Sequence, residues 1–247
     1  MSGVWSGSYE WARDWRTLLS ASAEGYILET VQRSGTFLFN WFTATFGSSG
    51  PPADVFADLE RGAAALPIGA DGLLALPYFS GCMNPHWDPD ARGCFVGLSA
   101  AHGRYHFYRA ILEGLTLESA RAAAAMERCG IAVDEFVTIG GGAKSRLWVQ
   151  MVADATNRPV WVCETVEASA LGAGMLAAYG AGWHPDIPAA AKAMSGRTAS
   201  VEPNPGSPER YRELMAIHGG LYAANAAAFA AIKGFLAGSA SEPLPVV

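Results

Sequence analysis

From residue 136 onward, apolar runs alternate with helical stripes. The run FVTIG at 136–140 reads as a buried strand. Leu147, Trp148, Met151, Val152 and Ala155 then recur at steps of one, three and four, the apolar face of a helix over 145–157. PVWVC at 159–163 is the next strand, and 168–180 the next helix. Upstream, Tyr105, Tyr108, Leu112, Leu115 and Ala122 share one face of a long helix, or of two, over 99–129. A short strand is expected at 72–79 and an amphipathic helix at 55–65. Trp11, Trp15, Leu18 and Leu19 fall at helical spacing, so 8–46 is expected to be largely helical. The alanine-rich stretch 209–235 reads as one terminal helix. Breakers punctuate the pattern: Ser48-Ser49-Gly50-Pro51-Pro52, a long Gly/Pro/Asn/Asp loop over 80–97, and a Pro/Gly/Ser loop over 196–208. Buried strands alternating with helices predict an α/β domain.

The strand at 136–140 ends in a glycine turn, GGGAKS, that opens a helix. Backbone N–H groups at a helix start lack partners within the helix and sit at the positive end of its dipole. Glycines remove the Cβ, so a flat ring or a phosphate can lie against the main chain. Ser145 is a plausible N-cap whose hydroxyl is also placed to bond a ligand. A P-loop would need Gly directly before Lys-Ser, and Ala143 stands there. The dinucleotide fingerprint would need Gly where Ser145 stands. From the glycines alone, a ligand-free tight turn explains the segment as well as a nucleotide site does.

Composition narrows the rest. A chain of 247 residues, half of them apolar, suits one large domain or two small ones. The formal net charge of −6 and the lack of a Lys/Arg cluster argue against a nucleic-acid-binding face. Cys82, Cys94, Cys129 and Cys163 form no C-x-x-C pair and read as four buried, reduced thiols. The N-terminus has no apolar core of a signal peptide, and 168–185 is too weakly apolar for a membrane span. A cytoplasmic protein with no membrane partner is expected.

The flanks of the glycine turn carry a resemblance. GGGAKSRLWVQMVADATNRPV at 140–160 resembles the adenosine-binding segment of the FGGY carbohydrate kinases, xylulokinase-like members in particular. PYFSGCMNPHWDPDARGCFVGLSAAHGRYHFYRAILEGL, EASALGAGMLAAYGAG and EPNPGSPERYRELMAIHGGLY resemble further blocks of the family, in the family's order. ILETVQRSGTFLFNW resembles a stretch with a glycine near the nucleotide phosphates. The likeness runs from about residue 25 to about 235 and covers only the family's C-terminal half.

That resemblance implies an actin-like, ribonuclease-H-like ATPase domain, the nucleotide-holding half of a two-domain sugar kinase. The whole of 1–247 would be that single domain, and the N-terminal sugar-binding domain would be absent. ATP or ADP would lie against Gly140, Gly141 and Gly142, with Ser145 beside adenine or ribose and Gly35 near the phosphates. Mg²⁺ would be held mainly through the nucleotide and the absent half. The family's general-base Asp belongs to that half, so no catalytic residue is expected in this chain and no sugar kinase activity from it alone. The spacing from Gly35 to Trp41 is one residue longer than the family pattern, and Gly81-Cys82-Met83-Asn84-Pro85 replaces the usual G-E-R-T-P. The sugar is therefore less well defined than the nucleotide. A non-catalytic nucleotide-binding or assembly module of the actin/Hsp70-like superfamily is the alternative. An uncovered interdomain face carrying apolar groups from the first forty-odd residues is expected, and a homodimer through it is a hypothesis.

Other candidate chemistry has blander readings. His102 and His106 have metal-ligand spacing, but no third ligand stands at motif distance, so no metal site is assigned. His86 is expected to make a structural hydrogen bond. Arg109 and Glu113 form a stabilising helix pair, and Asp88 and Asp90 form a turn. Lys144 is a solvated side chain or a phosphate ligand.

Overall fold

A computed structural model describes residues 2–22, 24–47, 50–165 and 167–239. The chain opens with three antiparallel strands, β1 (Ser2–Ser6), β2 (Arg16–Leu19) and β3 (Tyr26–Thr30), in the order β1-β3-β2. Helices α1 (Gly35–Phe46) and α2 (Pro52–Ala64) follow, then a small hairpin of β4 (Leu74–Leu76) and β5 (Cys94–Val96). The long helix α3 (Arg104–Arg128) leads into a second sheet of β6 (Phe136–Thr138), β7 (Val160–Cys163) and β8 (Arg197–Val201). Strands β6 and β7 are parallel, joined by a crossover through α4 (Arg146–Thr156). Helices α5 (Ala168–Gly180) and α6 (Ile187–Met194) lead to β8, which pairs antiparallel with β7. Helices α7 (Ser207–His218) and α8 (Leu221–Ser239) complete the described chain.

Helix α3 is the axis of the core. Its residues from Tyr108 to Glu118 are buried without a break, because α1, α2, α4, α7 and β4 all pack around it. Leu38, Phe42, Leu59, Tyr108, Ile111, Leu112, Leu115 and Tyr211 form the principal apolar cluster. Gly114 lets α3 touch the β4 backbone, since a Cβ there would stand 2.4 Å from the Ala75 carbonyl oxygen.

Buried charge ties these elements together. Arg109 donates to Glu113 at 2.8 Å, in a pair with Glu113 only 1% exposed. Glu113 also accepts from the Gly69 N–H at 3.0 Å, and Arg109 donates to the Ala63 carbonyl at 2.9 Å. Burial pushes Glu113 above the ordinary carboxylate value, while Arg109 and the Gly69 N–H pull it back. The pair thus joins α3 to α2 and to the turn before β4, more than a helix-surface pair would.

Several sequence expectations need correction. The span 8–46 is not largely helical: two strands occupy it, and only α1 is a helix. Trp15 is buried with Leu28 and Met126, but Trp11 is 76% exposed and Leu19 77% exposed, so no common helical face existed. The loop at 80–97 contains β5, and the loop at 196–208 contains β8, whose backbone pairing is set by tertiary contact with β7. The terminal helix is two, broken at Gly219 and Gly220. Of the four free thiols only Cys82 is buried, and Cys129 is exposed. Burial lifts the Cys82 thiol to about 11. Ser48 and Ser49 of the predicted loop lie outside the described residues.

The 80–97 loop is fastened to α8. His86 stacks on Tyr222 at 3.6 Å between ring centres and 12° between planes. Tyr222 donates to Asp88 at 2.9 Å, and Asp88 accepts from the Asp90 N–H, the turn expected from the sequence. Phe229 packs against Tyr78, Cys82 and Ala91. By length and composition the α7–α8 stretch passes for a membrane-crossing helix, yet the start of α8 packs on this loop.

Two outcomes follow from this packing. Gly114→Ala is expected to force α3 off β4 and lower stability by about 2 kcal/mol, which for a chain of this size lowers Tm by about 4–8 °C in calorimetry. An unchanged Tm would mean that the contact yields freely. Burial, the largest influence on His86, holds it below its ordinary value, so its contribution to stability is full above the unfolded pKa and fades as pH falls through it. The Tm difference between the native chain and His86→Gln should therefore shrink from pH 7.5 to 5.5; a constant difference would contradict this assignment.

Candidate functional site

Strand β6 carries the chain to Gly140, whose φ of 75° and ψ of −162° are open only to glycine. A short 3₁₀ turn, Gly141–Lys144, follows and delivers the chain to α4. Ser145 caps that helix: its Oγ accepts from the Trp148 N–H at 3.0 Å. The same hydroxyl donates to the Glu60 carboxylate, with contacts of 2.8 and 2.9 Å to its two oxygens. Tyr108 donates to Glu60 as well, at 3.0 Å. Burial and the neighbouring carboxylate raise the Tyr108 pKa, so it stays a neutral donor. One carboxylate on α2 thereby fixes α3 and the end of the glycine turn together.

Trp148 supports the turn from beneath. A Cβ on Gly142 would stand 2.5 Å from its ring, so glycine is required there by packing. The indole N–H donates to Thr116 at 3.1 Å, and Phe39 meets the ring edge-on at 5.0 Å. Gly141 differs from Gly142: a Cβ added there meets nothing within 4 Å. Its backbone faces open space.

That space is a cleft of about 490 Å³, within the range of small-molecule sites. Gly140, Gly141, Gly142 and the apolar groups Ile139, Val152 and Val160 form one wall. The segment Gln32, Arg33, Gly35 and Phe37 contributes to the other. Gly35 also faces open space, and it begins α1. The Ser34 hydroxyl does not cap α1 but accepts from the Ser80 N–H at 3.0 Å. The Val31 N–H donates to Asn84 Oδ1 at 2.8 Å, and the Gln32 amide donates to Leu115 and Ser119. The approach to α1 is thus fastened on three sides. A second hollow of about 370 Å³ adjoins the cleft and is bordered by the edge strands β1 and β6.

Four of the five residues expected from the sequence meet at this cleft: Gly35, Gly140, Gly141 and Gly142. Ser145 does not. It is 3% exposed, its hydroxyl is committed to Glu60 and Trp148, and it stands outside the lining. Lys144 is exposed on the turn and is not part of the lining either. The sequence reading missed Glu60, Trp148 and Arg33. Trp148 was visible as a helix-stripe residue, and Arg33 as a basic group just before Ser34-Gly35, but nothing local marks Glu60 as their partner.

The other candidates have structural partners. His106 lies 3.2 Å from an Asp71 carboxylate oxygen, and His102 lies 3.2 Å from the Asp71 carbonyl oxygen. Among the described residues no group of three His, Cys, Asp or Glu side chains is placed to hold a metal. Apolar side chains near the N-terminus are exposed, including Trp5, Tyr9, Trp11, Leu19 and Phe37.

Comparison with known proteins gives this geometry a context. The FGGY family of carbohydrate kinases, C-terminal domain, matches residues 11–181. The xylulose kinase of Bacillus subtilis is 36% identical over 83% of this chain, and the gluconokinase of the same organism is 34% identical over 74% of it. The chain spans 40% and 37% of the length of those two relatives. Among solved structures, xylulose kinase from Rhodospirillum rubrum aligns with a TM-score of 0.78 at 29% identity, covering 92% of this chain and 45% of that one. Xylulose kinase from Lactobacillus acidophilus aligns over 93% of this chain and 46% of its own, with a TM-score of 0.82 and 24% identity, which speaks to fold alone. The matched residues and the alignments agree: the chain belongs to the FGGY family of carbohydrate kinases and carries the actin-like fold of that family's C-terminal domain.

Proposed function

We propose that this chain is the nucleotide-holding part of an ATP-dependent carbohydrate kinase, and that the sugar is xylulose-like. The observation that carries the reading is one cleft lined by both Gly35 and Gly141, at each of which a Cβ would meet nothing within 4 Å. Such a slot takes a flat base and its ribose against one wall while leaving N–H groups for a phosphate tail. The matched relatives named xylulose kinase support the sugar class.

Phosphoryl transfer needs the acceptor hydroxyl, a base and the bridging cation in one place. Among the described residues the cleft lining holds no carboxylate, so a base and a Mg²⁺ ligand would come from outside it. Mg²⁺ would then ride on the nucleotide phosphates. On this reading the chain binds ATP or ADP and does not by itself phosphorylate sugar. The exposed apolar groups of the N-terminal strands and α1 would be covered by the part of a longer kinase that this chain does not span, or by a second copy of the chain. A cytoplasmic location goes with soluble sugar phosphorylation.

Gly141→Ala tests the reading directly, because the added Cβ enters open space and meets no protein atom within 4 Å. In calorimetric titration ADP is expected to bind the native chain and to lose at least about tenfold in affinity to the variant, while the ligand-free Tm stays the same. Equal ADP affinity in both would place the nucleotide elsewhere. Sugar-dependent ATP turnover by the purified chain would contradict the assignment of the base to another part of the kinase.

A further inference from the structure

The two walls of the cleft differ in chemistry. The wall built from β6, α4 and β7 is apolar apart from the glycine backbone and Thr138. The other wall carries Arg33, the one charged side chain in the lining among the described residues. Its polar neighbours are spent. The Gln32 amide is held by Leu115 and Ser119, and the Ser34 hydroxyl by the Ser80 N–H.

Arg33 itself is exposed, and among the described residues no hydrogen bond or ion pair engages it, although the chain carries more acidic than basic groups. Its backbone is fixed on both sides. Val31 donates to Asn84 Oδ1, and Ser34 is pinned to Ser80. A guanidinium held this way presents a fork of donors to the cleft with its main chain already ordered. That fork matches a phosphate in shape as well as charge.

We propose that Arg33 is the phosphate-contacting residue of this cleft. A nucleoside di- or triphosphate would lie with its base along the apolar wall above the glycine turn and its phosphates toward Arg33. The assignment rests on the nucleotide reading of the cleft given above. The orientation agrees with the resemblance, which puts Gly35 near the phosphates; the guanidinium that would contact them is the added element.

Titration of the native chain, Arg33→Ala and Arg33→Lys with adenosine and with ADP tests it. ADP is expected to bind Arg33→Ala at least about tenfold more weakly than the native chain. Adenosine is expected to bind both alike, and Arg33→Lys to recover part of the loss. Added salt should weaken ADP binding to the native chain more than to Arg33→Ala. Parallel losses for adenosine and ADP, or no loss for either, would overturn the role of Arg33 while leaving the cleft reading intact. A native chain that binds neither ligand would overturn the cleft reading and the assignment with it.

Discussion

The glycine turn has its position because a carboxylate from another helix holds it. Glu60 on α2 accepts from Ser145 at the start of α4 and from Tyr108 on α3. Three helices therefore meet at one side chain. The Ser145 hydroxyl donates to Glu60 while accepting from the Trp148 N–H, so the cap of α4 and the tertiary contact share one group and support each other. The turn just before Ser145 inherits that rigidity. Trp148 completes the arrangement by filling the space beneath Gly142. What remains free is the backbone of Gly141, and that is the surface offered to the cleft.

Helix α3 makes this possible. It is long enough to touch both sides of the cleft region, reaching Ser119 behind Gln32 and Thr116 behind Trp148. Its own placement depends on Gly114 against β4 and on the buried Arg109–Glu113 pair. A buried pair of this kind costs desolvation on both partners, and removing one member leaves an uncompensated charge. Here each member also bonds backbone, at Ala63 and at Gly69, so the pair fixes where α2 ends and β4 begins. The site's geometry thus descends from core contacts made well outside it.

The strand-turn-helix order was legible in the sequence because its signals are local: an apolar run, three glycines, an N-cap and a stripe at helical spacing. The same holds for α3 and α5. The strand itself is shorter than the expected 136–140 and is not buried, since β6 is Phe136–Thr138 and Val137 is 44% exposed. The N-terminal strands were misread because Trp11 and Trp15 imitate a helical repeat, whereas pairing with β3 decides their conformation. Strand β8 has little apolar content and exists through its bonds to β7. The break between α7 and α8 was written in Gly219-Gly220 and was overridden by the alanine content on either side. Of the residues expected at a nucleotide, the four glycines do share one cleft, since glycine reports on backbone access. Ser145 stands outside its lining; a serine at a helix start reads alike as a cap and as a ligand contact, and the bond to Glu60, 85 residues away, is not visible locally. Arg33 was passed over because an isolated basic residue says nothing until its neighbours are seen to be occupied.

If the open backbone lining this cleft receives a nucleotide, backbone amide resonances followed by NMR as ADP is added will show it. The amides of Gly35, Gly140, Gly141 and Gly142 are expected to move together with one saturation curve, while those at Gly69 and Gly114 in the core stay still. Saturable shifts confined to another part of the molecule, with the four glycines unmoved, would contradict nucleotide binding at this cleft.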